Sequence, residues 1–121
     1  MSLKVNTDNK RPGVYVISPI GSIDTNTATV LDEKVEAVLA ENPEDVIFDM
    51  EYTDYINSMG VRVLLKTKKT LKNSDGKLIF MHLQPQIKKV FDILNALPTM
   101  NVFASIEELD NYLDAMQKAA R

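Results

Sequence analysis

Residues 46–65 read Val46-Ile47-Phe48-Asp49-Met50-Glu51-Tyr52-Thr53-Asp54-Tyr55-Ile56-Asn57-Ser58-Met59-Gly60-Val61-Arg62-Val63-Leu64-Leu65. Val46 to Met50 is a short apolar run and predicts a buried strand. Glu51 to Asn57 predicts a loop. Ser58 then opens a helix that carries Val61, Leu64, Leu65 and Leu71 inward, with Lys66, Lys68, Lys69 and Lys72 facing water. Asn73-Ser74-Asp75-Gly76 closes that helix with turn residues. A buried strand, a loop and an amphipathic helix in that order form half of a parallel crossover unit.

The pattern continues on both sides. Upstream, Leu3–Thr7 and Gly13–Ile17 predict strands, and Asp8-Asn9-Lys10-Arg11-Pro12-Gly13 between them has the chemistry of a hairpin turn. Ala28, Leu31, Val35, Val38 and Leu39 then recur at helical spacing until Asn42-Pro43. Downstream, Leu78–Leu83 predicts a strand, and Pro85 starts a third helix with Ile87, Val90, Phe91 and Leu94 inward. Pro98 ends it, and Met100–Ala104 predicts a short strand. Ser105 and Glu108 form a capping box for a last helix with Ile106, Leu109, Leu113 and Met116 buried. The expected fold class is α/β: a mixed, mostly parallel sheet of about five strands with four helices and an antiparallel edge at its start. One domain is expected over residues 1–121, since no linker, repeat or low-complexity segment interrupts the pattern.

Composition narrows the chemistry. The chain of 121 residues is 45% apolar and 26% charged, with a net charge of −3, a balance that does not favour nucleic acid as a partner. It has no cysteine, which removes disulfides, thiolate nucleophiles and the commonest structural zinc sites. The N-terminal residues lack the apolar run of a signal peptide, and no stretch is long enough to span a membrane, so a cytoplasmic protein without membrane contact is expected.

In open α/β sheets, sites gather beyond the carboxyl ends of the strands. Two such stretches stand out, Gly21–Asn26 and Tyr52–Gly60. With four glycines in the whole chain and no phosphate-cradling pattern, neither suits a nucleotide, and no cofactor or metal is expected. The one histidine, His82, reads as a partly buried polar residue at a strand end, without a second histidine to share a metal. Asp49 is assigned local hydrogen bonding alone. Asp24 either braces the turn into the first helix or acts as a base. Ser58 has two readings as well. It is an N-cap, its side chain accepting a first-turn N–H, or it is a phosphate acceptor at a helix N-terminus, where negative charge is tolerated. A phosphate there adds about −1.5 to −2 charges at one surface spot. Ile56 and Met59 flank Ser58 and are either a contact surface or core.

Four segments together resemble the STAS domain, and within it the single-domain bacterial anti-sigma factor antagonists. They are Gly21-Ser22-Ile23-Asp24 with Thr27-Ala28, Val46–Met50, Tyr55–Val61, and Pro85-Gln86-Ile87-Lys88-Lys89-Val90-Phe91-Asp92. The resemblance implies a switch without catalysis. In such a switch the unphosphorylated antagonist binds an anti-sigma factor that is also a serine kinase, and so frees a sigma factor. Phosphorylation breaks the complex, and a metal-dependent serine phosphatase restores it. The matching serine is Ser58, and the implied partner surface comprises Asp24, Ile56, Asn57, Ser58, Met59 and Gly60. The family usually reads Asp-Ser-Ser/Thr-Gly where this chain has Asn57-Ser58-Met59-Gly60. Two alternatives stay open from the sequence: a STAS scaffold subunit of a signalling or lipid-transport complex, and a small hydrolase using Asp24 and Ser58.

Overall fold

A computed structural model describes residues 2–96 and 106–120. The chain runs out along β1 (Lys4–Arg11) and back along β2 (Val14–Ile23). The hairpin is there, but its turn is shorter than the sequence predicts. Asp8, Asn9 and Arg11 extend the strand and pair with Val16, Tyr15 and Val14. The strand stops at Pro12, which has no N–H to give to a ladder. Helix α1 (Ala28–Leu39) ends as expected, with Asn42 left-handed at φ 53° just before Pro43. Then follow β3 (Asp45–Asp49), β4 (Thr53–Ile56), α2 (Ser58–Asn73), β5 (Lys77–Met81), α3 (Pro85–Ala96) and α4 (Ile106–Ala120).

The five strands form one mixed sheet in the order β1-β2-β3-β5, antiparallel at the first pair and parallel beyond it. Strand β4 is a correction to the sequence reading, which has a loop there. It pairs in parallel with the far end of β2, Ile56 opposite Ile23. Four residues with two polar side chains are too few to show strand periodicity. The bend that makes room for β4 falls at Gly21, whose φ of 122° is open to glycine and strained for other residues. Past this point β2 leaves β3 and takes β4 as its neighbour.

The core lies between the sheet and the helices. Ile17, Phe48 and Phe80 align across three strands, and the Phe80 ring sits 5.7 Å from Phe48 and 4.7 Å from Phe91 of α3. Helix α1 buries Ala28, Leu31, Val35 and Val38; α2 buries Val61, Leu64 and Leu71 as expected. Leu65 does not point inward: it is 44% exposed. The buried stripe of α2 is centred on Gly60, Leu64, Thr67 and Leu71, which leaves Leu65 about 130 degrees off its axis. Lys66 faces water as expected, and its ammonium also bridges Asp32 and Glu36 of α1, tying the two helices together. In α3, Ile87 and Val90 are buried and Phe91 is half-buried; in α4, Leu109 and Leu113 are buried and Met116 is half-buried. The expected strand Met100–Ala104, the stop at Pro98 and the Ser105 half of the capping box lie outside the described residues, as do the side chains of Leu94 and Ile106. Among the described residues, no helix is long and apolar enough to cross a membrane.

Candidate functional site

The two stretches singled out by sequence meet at the junction of β4 and α2. Strand pairing brings Ile23 beside Ile56, and the Asn57 amide donates to the Ile23 carbonyl at 3.0 Å. The Ser22 hydroxyl donates to Asp54 at 2.8 Å, and the Asn57 side-chain amide to Thr25 Oγ1 at 3.1 Å. Both loops are therefore fixed relative to the start of α2.

Asp24 braces its turn. Its Oδ1 accepts from the amides of Asn26 (2.9 Å) and Thr27 (3.0 Å), and its own amide donates to Thr27 Oγ1 at 2.8 Å. This reciprocal pattern spends one carboxylate oxygen, Oδ1, on the backbone of the turn. The base reading has no support in the geometry.

Ser58 is not the cap of α2. Asn57 is: in extended backbone, its Oδ1 accepts from the amides of Met59 (3.0 Å) and Gly60 (3.3 Å). Asn and Asp serve equally well in this place, so the family's acidic residue is replaced without loss of the cap. Ser58 is the first residue of α2 and only 6% exposed; among the described residues its Oγ has no hydrogen-bond partner. A buried hydroxyl without a partner contributes nothing to stability and costs desolvation. Ser58→Ala is therefore expected to leave stability unchanged or raise it by up to about 1 kcal/mol, where loss of an N-cap would cost about 1 kcal/mol. Urea denaturation decides between the two.

Ile56 is fully buried against the core and cannot meet a partner in this state, which removes it from the expected surface. Gly60 is buried as well, and Asn57 is 6% exposed. Met59 is half-buried. With Ala28, Thr29, Asp32, Arg62, Val63 and Lys66 it lines a shallow groove between α1 and α2. Asp24 is half-buried beside this ground.

The sequence reading missed the contribution of α4. Asp110 Oδ1 accepts the Ser58 amide at 2.8 Å. Gln117, completely buried, accepts the Ile56 amide at 3.0 Å and donates to the Ile56 carbonyl at 2.7 Å and the Leu113 carbonyl at 3.1 Å. Tyr55 hydrogen-bonds Asp114. Its hydroxyl is pushed above the ordinary tyrosine range by burial and then by the carboxylates of Asp114, Asp110 and Asp24. Residues 110, 114 and 117 fall on one face of a helix. The available signal was a polar residue, Gln117, in the Leu109-Leu113 stripe position.

His82 departs from expectation. It is exposed, sits in left-handed backbone at φ 59°, and its Nδ1 lies 3.0 Å from Asp49 Oδ1. Hydrogen bonding to that carboxylate raises the imidazole's pKa. Asp49 also accepts the Glu51 amide at 3.2 Å, the local role expected of it. Asp49, Glu51 and His82 bring one ligand-type atom each within 4.8 Å, Asp49 half-buried and the other two exposed.

Comparison with known proteins agrees with this architecture. The STAS domain model matches residues 7–109. BtrV of Bordetella bronchiseptica, an anti-sigma factor antagonist by name, is 30% identical over 98 residues, covering 78% of this chain and 84% of BtrV. The crystal structure of an anti-sigma factor antagonist from Mycobacterium paratuberculosis superposes with a TM-score of 0.67 at 21% identity, over 98% of this chain and 94% of that one. The Bacillus antagonist SpoIIAA, in its phosphorylated form, gives 0.65 at 20% identity, over 75% of this chain and 83% of its own. The structural likenesses show a shared fold; the sequence match reaches further.

Proposed function

Because this chain belongs to the STAS domain family, we propose that it is an anti-sigma factor antagonist that works by binding, with Ser58 as the residue whose phosphorylation ends that binding. The observation that carries this reading is Ser58 at the first position of α2 with an uncommitted Oγ. Beside it, the Asn57 side chain and the amides of Ser58, Met59 and Gly60 all have structural partners. The partner is an anti-sigma factor with serine kinase activity, reset by a metal-dependent serine phosphatase. Relatives named as anti-sigma factor antagonists and a phosphorylated form of SpoIIAA support this assignment.

The docking surface consists of Met59 and the α1–α2 groove beside it, with Asp24 and Asn57 at its border. Methionine adapts to a partner's side chains, and a doubly charged group beside an apolar groove opposes docking through desolvation and repulsion. A hydrolase reading loses support. A serine nucleophile needs a base within hydrogen-bond reach, Ser58 Oγ has none among the described residues, and Asp24 is committed to its turn.

The test is affinity capture from the host's lysate with wild type, Ser58→Ala and Ser58→Asp as baits. Wild type and Ser58→Ala are expected to retain a protein with a histidine-kinase-like ATPase domain. Ser58→Asp is expected to bind it at least about tenfold more weakly once both are purified. Equal binding by all three would return the chain to the class of scaffold modules.

A further inference from the structure

A phosphate on Ser58 would arrive among carboxylates. Asp110 of α4 accepts the Ser58 amide at 2.8 Å, and Asp114, Asp110 and Asp24 all bear on the hydroxyl of Tyr55, in the strand that leads to Ser58. The amides of Met59 and Gly60 are held by Asn57 Oδ1, and that of Val61 by the Asn57 carbonyl at 3.0 Å. We propose that Arg62 supplies the missing counter-charge: its guanidinium leaves the groove between α1 and α2 and clamps the phosphate one turn back along the helix. The inference rests on the reading of Ser58 as the phosphorylated residue and adds how the docking surface senses that state.

Helical geometry selects this residue. Ser58 is the first residue of α2 and Arg62 stands four positions on, so their Cβ atoms lie about 5–6 Å apart on one face. Arg62 is exposed and, among the described residues, has no hydrogen bond or ion pair. The other cations of α2 do not compete. Lys66 already bridges Asp32 and Glu36. Lys68, Lys69 and Lys72 begin about 15 Å from Ser58 along the axis, beyond the Debye length of about 8 Å at physiological salt. If Asp110 rotates away and frees the Ser58 amide, the phosphate gains one neutral donor, and a dianion still lacks a cation. An arginine fork meets two phosphate oxygens at once, which a lysine ammonium does not match. The consequence reaches the docking surface. Arg62 lines the α1–α2 groove with Met59, Thr29, Asp32 and Lys66. Drawn to the phosphate, it takes a positive charge out of that groove, so phosphorylation changes the ground beside Ser58 as well as Ser58 itself.

The experiment is a pH titration of the phosphate followed by phosphorus NMR, on the full chain with genetically encoded phosphoserine at position 58. A paired cation favours the dianion, so the second ionisation, ordinarily at about pH 6, should fall at lower pH in wild type than in Arg62→Gln. The expected gap is at least about 0.3 pH unit at about 0.15 M salt. Arg62→Lys keeps the charge and should recover part of that gap. Lys69→Gln removes a charge from the same face farther along and should leave the midpoint within about 0.1 unit of wild type. A smaller gap for Arg62→Gln, an Arg62→Lys midpoint equal to that of Arg62→Gln, or an equal rise in Lys69→Gln would each overturn the clamp. Partner capture by wild type with and without the phosphate separates the readings. Capture lost on phosphorylation with no Arg62-dependent gap leaves the switch standing and removes the clamp; a gap with capture unchanged does the reverse.

Discussion

Gln117→Leu is expected to destabilise the fold by about 3 kcal/mol. The side chain has no solvent exposure and joins α4 to both backbone groups of Ile56. It behaves as one more strand residue, pairing the edge of β4 that faces away from β2. Leucine has similar bulk and a better transfer free energy, worth about 1–2 kcal/mol. It also strands a buried N–H and a buried C=O, each costing about 1–3 kcal/mol when left without a partner. The two losses outweigh the gain. A protein of this size has about 5–15 kcal/mol of stability in total, so the midpoint of urea denaturation should move well outside error with an unchanged slope. A loss under about 1 kcal/mol would mean that water or a backbone shift satisfies Ile56.

What could be read from the sequence follows from how local each signal is. The apolar runs at Val46–Met50 and Leu78–Leu83 and the helical stripes of α1, α2 and α3 depend on neighbours a few positions away. The structure has strands there, at Asp45–Asp49 and at Lys77–Met81, the second cut short by the left-handed His82, and it has the stripes with Leu65 excepted. The helix starting at Ser58 was legible from the same kind of pattern, and so was the place of the site, since strand ends in an α/β sheet gather loops. Strand β4 was hidden because its hydrogen bonds go to β2, some thirty residues away, and nothing in Thr53–Ile56 encodes that partner. The identity of the cap was hidden for a different reason. Asn57 and Ser58 are both good caps, and tertiary contact decides between them: Asn57 is tethered by Thr25, while Asp110 takes the Ser58 amide. Burial of Ile56 and the roles of Asp110 and Gln117 likewise come from α4 folding back over the junction, a contact across more than fifty residues. The site's address was local information; its contacts with α4 were not.

Gly60→Ala sets two rules against each other at the same junction. Gly60 lies in the first turn of α2 with ordinary helical backbone, where alanine should stabilise by up to about 1 kcal/mol. Its added Cβ, however, would stand 2.6 Å from Ile23 Cγ2 and 2.6 Å from Ile56 Cγ1. Both isoleucines are fully buried, Ile23 as the last residue of β2 and Ile56 on the strand pinned by Gln117. Neither can retreat without disturbing the β2–β4 pairing or the α4 contact. Overpacking of this kind costs about 1–3 kcal/mol, and two simultaneous clashes belong at the upper end. The net expectation is a loss of about 2 kcal/mol in urea denaturation, with faster amide exchange in α4, because the strain is passed to Ile56 and Gln117. A neutral or stabilising Gly60→Ala would show that α2 can slide away from the strands.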